Sequence, residues 1–304
     1  GEGPFPCLLM ITGSGPQDRD ETIMDHKPFA VLADNLAKLG WATFRYDERG
    51  VGSSSGDFSS TTTADFAADA ESIFTLLKQQ KRLDANKIGL LGHSEGSLVS
   101  AMVGSGRKDV YCIVSLAGPG VSGKELLERQ SMDIQMSEGK SRSEAQLDVD
   151  FNSSIMEYIL QESDSLKIAA FIHGKMAEPD QKPKSTEDAV LEGTEIFDEY
   201  NTSFNNVWMR SFVRSHPEEF WQKVQCPVLI LNGDSDLQVN ADVNTKAIYA
   251  ACPFNSNTEI TILSNHNHLF QYTETGRISE YGILTETLSP ETIESITEWL
   301  KKLP

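Results

Sequence analysis

The sequence predicts an α/β fold: a mostly parallel sheet flanked by helices, with a helical insertion ahead of one of the last strands. Three observations carry this. Short apolar runs alternate with amphipathic stretches, the pattern of buried parallel strands in βαβ units. One run passes through a glycine-bracketed turn straight into a helix. A single long stretch, 122–225, has no strand run at all.

The expected strands are Cys7–Ile11, Ala42–Tyr46, Lys87–Leu91, Val110–Leu116, Val228–Leu231 and Glu259–Leu263. The first helix opens at Pro28, where a missing N–H costs nothing. Phe29, Leu32, Leu36 and Leu39 form its stripe, and Gly40 ends it. A second helix follows a capping box of Thr62 and Asp65, with Phe66, Ala70, Ile73 and Leu77 on its apolar face. The last starts at Ser289-Pro290 and turns Ile293, Ile296 and Leu300 inward. The stretch 122–225 is polar and helical in pattern, with 11 basic and 20 acidic residues, a net −9. It divides the chain into a core of 1–121 and 226–304 and a helical cap of 122–225.

Composition narrows the function. The 304 residues are 39% hydrophobic and 23% charged, an ordinary globular balance. With 26 basic against 45 acidic residues the net charge is −19, which argues against binding a phosphate backbone. No apolar run approaches the roughly 20 residues of a membrane helix. Four cysteines, none in a CxxC pair, read as buried free thiols and leave the compartment open. The chain opens at Gly1 without a signal-peptide pattern. The expectation is a processed end: exported to the periplasm if a signal peptide preceded it, cytoplasmic otherwise.

Chemistry concentrates at strand ends. Gly92-His93-Ser94-Glu95-Gly96 follows the run Lys87–Leu91 and precedes a helix-compatible stretch, so this G-x-S-x-G sits in the strand–turn–helix context the motif needs. The turn forces Ser94 into strained backbone angles, and the glycines remove side chains where strand and helix nearly touch. A serine nucleophile needs a base, and the base an orienting acid. Of the six histidines, His266 and His268 follow the last strand, in the order serine, acid, histidine. His93 adjoins Ser94 but is expected to point away across the turn; His173 and His216 fall in the insertion. The pair His266/His268 lacks the Cys or carboxylate companions of a metal site. Asp234 and Asp236 both end the strand Val228–Leu231, and Asp236 sits deeper in the loop. Thr12-Gly13-Ser14-Gly15-Pro16 ends the first strand and can present amides to an oxyanion: Ser14 as one donor, Glu95 as the other. All these residues lie past the C-terminal ends of strands, where α/β sheets place their sites.

At these residues the chain resembles the α/β-hydrolase superfamily, and within it the bacterial serine-aminopeptidase-like and carboxylesterase-like hydrolases. The segments are Gly13–Asp20, Arg45–Ser53, Gly92–Gly96, Cys226–Asp236 and Asn267–Gln271. The resemblance implies an α/β-hydrolase sheet with a cap before the acid-bearing strand. It implies Ser94 as nucleophile, Asp236 rather than Asp234 as acid, and His268 rather than His266 as base. Many relatives carry His where this chain has Thr12, and they open with an antiparallel strand pair ahead of the oxyanion-loop strand. Asp47-Glu-Arg-Gly-Val-Gly52 lacks the Lys-Ser/Thr of a phosphate loop. The resemblance makes it a turn buttressing the oxyanion loop, with Arg49 expected to pair with Asp18, Asp20 or Asp57.

The resulting expectation is a serine hydrolase cleaving small-molecule carboxylic esters through an acyl-enzyme, without metal or organic cofactor, nucleic acid or membrane insertion. Two alternatives stand beside it. An aminopeptidase-like enzyme would use the same triad and add an acidic cluster for an α-ammonium, for which Glu192, Glu195, Asp198 and Glu199 are candidates. A catalytically inactive binding protein on this fold would not need the intact elbow. Trp208 and Phe212, at i and i+4, are candidates to line the substrate pocket, although the same spacing marks a helix core stripe.

Overall fold

The computed structural model describes residues 2–176, 186–252 and 258–304, with the side chains of 186–194 outside the description. Six strands form one parallel sheet in the order β2-β1-β3-β4-β5-β6. In chain order the elements are β1 (Phe5–Ile11), α1 (Pro28–Lys38), β2 (Ala42–Phe44), α2 (Thr63–Leu77), β3 (Leu83–His93), α3 (Glu95–Gly106) and β4 (Ile113–Leu116). Then come six helices: α4 (Gly123–Ser137), α5 (Arg142–Gln161), α6 (Ser165–Met176), α7 (Thr186–Asn205), α8 (Val207–Phe212) and α9 (Glu218–Trp221). The chain returns to the sheet in β5 (Val228–Gly233), α10 (Ala241–Ala251), β6 (Thr258–Leu263) and α11 (Pro290–Lys302).

The pleat sorts the core into two layers. Cys7, Leu9 and Ile11 of β1 face α2 and α3, with Phe66, Phe74, Leu77 and Val99. Leu8 and Met10 face the other way, onto Phe29, Leu32 and Leu36 of α1 and Ile296, Trp299 and Leu300 of α11. The central strands are covered on both faces, so their apolar runs are continuous. Helix starts follow the expected chemistry. Pro28 and Pro290 occupy first-turn positions. Thr62 and Asp65 form the reciprocal capping box of α2, and Ser289 caps α11. Gly40 takes φ +88°, the left-handed angle that closes α1.

Three expectations shift. In α2 Phe74 takes the place expected for Ile73: the buried stripe runs through Phe66, Ala70, Phe74 and Leu77, and Ile73 is only partly buried. Strand β6 is an edge strand, so Ile260 and Ile262 remain exposed rather than buried on both faces. Strand β2 stops at Phe44 because the chain leaves the sheet for the turn that packs on the β1–α1 loop.

Between β4 and β5 the described residues form only helices. Their apolar side chains make a cluster of their own, around Ile155, Ile159, Ile168, Ile172 and Val213. A second, smaller cluster joins this insertion to the sheet unit: Leu126 and Phe212 meet Leu98 of α3 and Val239 after β5. The insertion is thus anchored beside the helix that follows the elbow.

This burial map separates stability from surface. Leu36 is 0% exposed and Leu147, on α5, is 71% exposed. Leu36→Ala should lower unfolding free energy by roughly 2–5 kcal/mol through lost burial and a residual cavity. Leu147→Ala should stay within about 0.5 kcal/mol of the parent. Denaturant titration of both variants checks the pair.

Candidate active site

The elbow begins with a close approach of backbones. A Cβ on Gly92 would stand 2.0 Å from the Gly96 carbonyl oxygen, and one on Gly96 would stand 2.2 Å from the Ile11 carbonyl oxygen. Neither position admits a side chain. Between them Ser94 adopts φ 53° and ψ −121°, a region that L-residues avoid. The cost is offset by hydrogen bonds on both sides: the Ser94 amide donates to the Leu116 carbonyl at 2.8 Å, and the Ser94 carbonyl accepts from the Ser97 amide at 3.0 Å. The turn sets Ser94 at the C-terminal end of β3 and directly before the first turn of α3.

The loops after β5 and β6 bring two more residues to this point. The His268 Nδ1 lies 2.8 Å from Asp236 Oδ2. The other Asp236 oxygen accepts from the amides of Gln238 and Val239, at 2.8 and 2.9 Å. Asp236 is therefore fixed by three donors and is 3% exposed. Asp234 is exposed and turns outward to the Asn265 amide at 2.6 Å. The His266 ring is engaged on both nitrogens, by the Ser264 carbonyl at 2.9 Å and the Ser289 hydroxyl at 2.7 Å, so it braces α11 and shares no site with His268.

Ser94 and His268 line one cavity of about 340 Å³. Its walls are largely apolar, with Leu126, Trp208 and Phe212 from the insertion and Ile23, Met24 and Leu269 from the sheet unit. Ser94 and His268 make no hydrogen bond to each other in this arrangement. Trp208 and Phe212 stack with ring centroids 4.9 Å apart and serve two purposes at once: Phe212 is core to the junction cluster, and both rings face the cavity. Ser14 and Glu95 also line the cavity. The Gly13 amide, by contrast, is taken up by the Glu21 carboxylate at 2.7 Å.

Comparison with known proteins places the chain. A family profile described as "Serine aminopeptidase, S33" matches residues 26–272. The chain belongs to this family, within the α/β-hydrolase superfamily. Esterase EstD of Thermotoga maritima is 31% identical over 135 residues, which is 44% of this chain and 32% of that esterase. The chain therefore matches about a third of the length of that curated relative. Among solved structures, the esterase Pf2001 of Pyrococcus furiosus superposes with TM-score 0.56 at 15% identity, covering 100% of this chain and 85% of that one. The α/β hydrolase GrgF from Penicillium sp. sh18 superposes with TM-score 0.59 at 15% identity, covering 98% and 90%. At such identities the structural likeness speaks for the fold.

The S33-family chain departs from expectation around the oxyanion loop. Arg49 pairs with none of Asp18, Asp20 or Asp57. It makes a two-pronged contact with Asp69 at 2.6 and 2.7 Å and approaches Asp65, because α2 presents both carboxylates, one turn apart, to the Arg49 turn. Asp20 is taken instead by Arg45, and Asp47 by Arg19, which holds the Asp47 carboxyl well below its ordinary value. The turn 47–52 does buttress the loop, but through Glu48. That side chain accepts from the Thr12 hydroxyl at 2.7 Å and the Gln17 amide at 3.2 Å. His93 does not point away from the site. Its Nδ1 meets Glu21 at 2.9 Å and its Nε2 meets the His268 carbonyl at 2.9 Å. A carbonyl only accepts, so Nε2 carries a proton, and the buried ring ties the loop after β1, through Glu21, to the loop that holds His268.

Sequence reading missed the carboxylates beneath this loop. Glu21, Glu48 and Glu95 are each under 5% exposed. Charged residues in polar-looking segments carry no periodic signal of burial. Only the placement of Glu95 inside the elbow motif hinted at it.

Burial moves the Glu48 carboxyl from 4.5 to about 8, against the hydrogen bonds from Thr12 and Gln17. The folded state therefore keeps a proton that the unfolded chain releases. The associated stability is complete below the unfolded value and is lost as pH rises through about 8. Glu48→Gln should flatten this fall in stability between about pH 5 and 8, measured as urea midpoints against pH. A slope equal to that of the parent would show that Glu48 titrates alike in both states.

Proposed function

We propose that this protein hydrolyses carboxylic esters of small molecules through an acyl-enzyme formed on Ser94. The observation that carries the reading is the strained Ser94 of the elbow opening into the same cavity as a histidine tied to a buried aspartate. In this mechanism Ser94 Oγ attacks the ester carbonyl as His268 Nε2 accepts its proton. Asp236 fixes the imidazole with Nδ1 protonated and stabilises the imidazolium that forms. The Ser14 and Glu95 amides receive the oxyanion. Collapse expels the alcohol, protonated by His268, and a water activated by the same ring releases the acid. A small rotation of Ser94 completes its contact with His268, since catalytic hydrogen bonds tighten on binding. The insertion 122–225 acts as a cap: Leu126, Trp208 and Phe212 wall the cavity, excluding water and selecting the acyl group.

An ester substrate is favoured over a peptide amino terminus by the character of the cavity. Recognition of an α-ammonium needs a carboxylate free to meet it. The described carboxylates that line the cavity, Glu21 and Glu95, already accept from protein donors. The cap candidates Glu195, Asp198 and Glu199 are exposed and do not line it, and the side chain of Glu192 lies outside the described residues. The esterase name of the Thermotoga maritima relative supports the same reading.

Ser94→Ala should reduce hydrolysis of p-nitrophenyl acyl esters by roughly 10⁴-fold or more, leaving the residue due to binding and the oxyanion donors. Asp236→Asn should cost several orders of magnitude, and Asp234→Asn less than about tenfold, since Asp234 serves the turn. Equal losses from the two aspartate variants would remove Asp236 from its role. The wild-type chain should turn over p-nitrophenyl esters and leave aminoacyl-nitroanilides uncut; the reverse preference would make it a peptidase on the same triad.

A further inference from the structure

The Glu95 side chain is an unusual neighbour for a nucleophile. It is 3% exposed and accepts from the Thr63 hydroxyl at 2.5 Å and the Trp208 indole N–H at 2.8 Å. These donors come from two separate parts of the chain. Thr63 opens α2 in the sheet unit, and Trp208 belongs to α8 of the insertion. The two residues whose amides serve the oxyanion in the proposed mechanism, Ser14 and Glu95, line the same cavity. One buried carboxyl group therefore ties the start of α3, where the Glu95 amide lies, to α2 and to the wall of that cavity.

We propose that the Glu95 carboxyl group is a positioning group for the esterase reaction: it holds the Glu95 amide, at the start of α3, against α2 and couples that position to the seating of Trp208. The inference rests on the ester-hydrolase reading. Its logic is geometric. Oxyanion donors act only within a few tenths of an ångström of their best distance, and a misplacement of about 1 Å costs on the order of 10²-fold in rate. The Ser14 loop is pinned from its own side, by Glu48 at Thr12 and Gln17, by Glu21 at Gly13 and by the Gln17 side chain at the Ser14 carbonyl. Where the Glu95 amide stands relative to that loop is left to the contacts of the Glu95 side chain.

The site asks residue 95 for acceptors rather than for charge. An anion beside a developing oxyanion would oppose it. Burial pushes the Glu95 carboxyl toward its neutral form, against its hydrogen-bond donors. Arg and Lys are absent from the described lining of this cavity. Glutamine, which keeps an acceptor in the same place, should therefore substitute.

The test is steady-state kinetics of the full chain on p-nitrophenyl butyrate, with four variants. Glu95→Ala should lower kcat about 10²-fold while KM moves less than about threefold, because the loss falls on the transition state. Glu95→Gln should restore kcat to within about threefold of wild type. Trp208→Phe keeps the ring stack on Phe212 but removes the indole N–H, and should lower kcat about five- to tenfold. The double variant Glu95→Ala/Trp208→Phe should be no slower than Glu95→Ala, since both remove one unit. An unchanged kcat in Glu95→Ala, a loss confined to KM, or full additivity in the double variant would overturn the proposal. If Glu95→Ala does not fold, Trp208→Phe decides: an unchanged kcat overturns it. A wild-type chain that cleaves the ester, with Ser94→Ala inert, keeps the ester-hydrolase reading whatever Glu95 does; an inert wild type overturns both.

Discussion

The structure depends on one steric constraint: β3 and α3 meet so closely at the elbow that neither Gly92 nor Gly96 has room for a Cβ. A second close approach sets the C-terminal end of β1 against the start of α3, with the Ile11 carbonyl oxygen 2.2 Å from where a Gly96 Cβ would stand. That contact fixes Ser94 in its strained conformation. It also brings the loop after β1 alongside the first turn of α3, so that Ser14 and Glu95 line one cavity. The parallel order of the sheet then delivers the loops after β5 and β6 to the same edge.

Strain at one residue requires a rigid surround, and the buried carboxylates supply much of it. Glu21 holds Gly13 and meets His93, whose other nitrogen holds the His268 carbonyl. Glu48 holds Thr12 and Gln17, and Glu95 joins Thr63 to Trp208. Each of these groups loses hydration on burial, and each recovers part of that loss through donors from different segments. The consequence is that loops distant in sequence are set relative to one another by single side chains. The Thr12 hydroxyl enters this network through Glu48.

The helical insertion meets the sheet unit through apolar packing and through polar contacts that include Trp208 with Glu95 and Gln130 with Gln238. Leu126 and Phe212 pack on Leu98, while Trp208 reaches Glu95. Trp221 and Val224, at the C-terminal end of the insertion, join the main core of the sheet unit, while α5 and α6 pack among themselves around Ile155 and Ile172. An element built this way has its own small core, so its inner face can vary without loss of the main sheet.

The sequence by itself determined the fold class, the helix starts at Pro28, Thr62 and Ser289, the helical character of the insertion, and the elbow. These are local matters: periodicity, capping and the glycine requirement are written in adjacent residues. It also brought the candidate acid and histidine down to neighbouring pairs. Tertiary contacts distinguish the members of each pair. Asp236 turns inward because two amides of its own loop grip one oxygen, whereas Asp234 turns out to Asn265. His266 is spent on Ser289, which leaves His268 for Asp236. The partner of Arg49, the bridge made by His93 and the burial of Glu21, Glu48 and Glu95 were settled the same way. Which carboxylate meets which cation or amide depends on distances between segments far apart in the chain, and no local pattern encodes those distances.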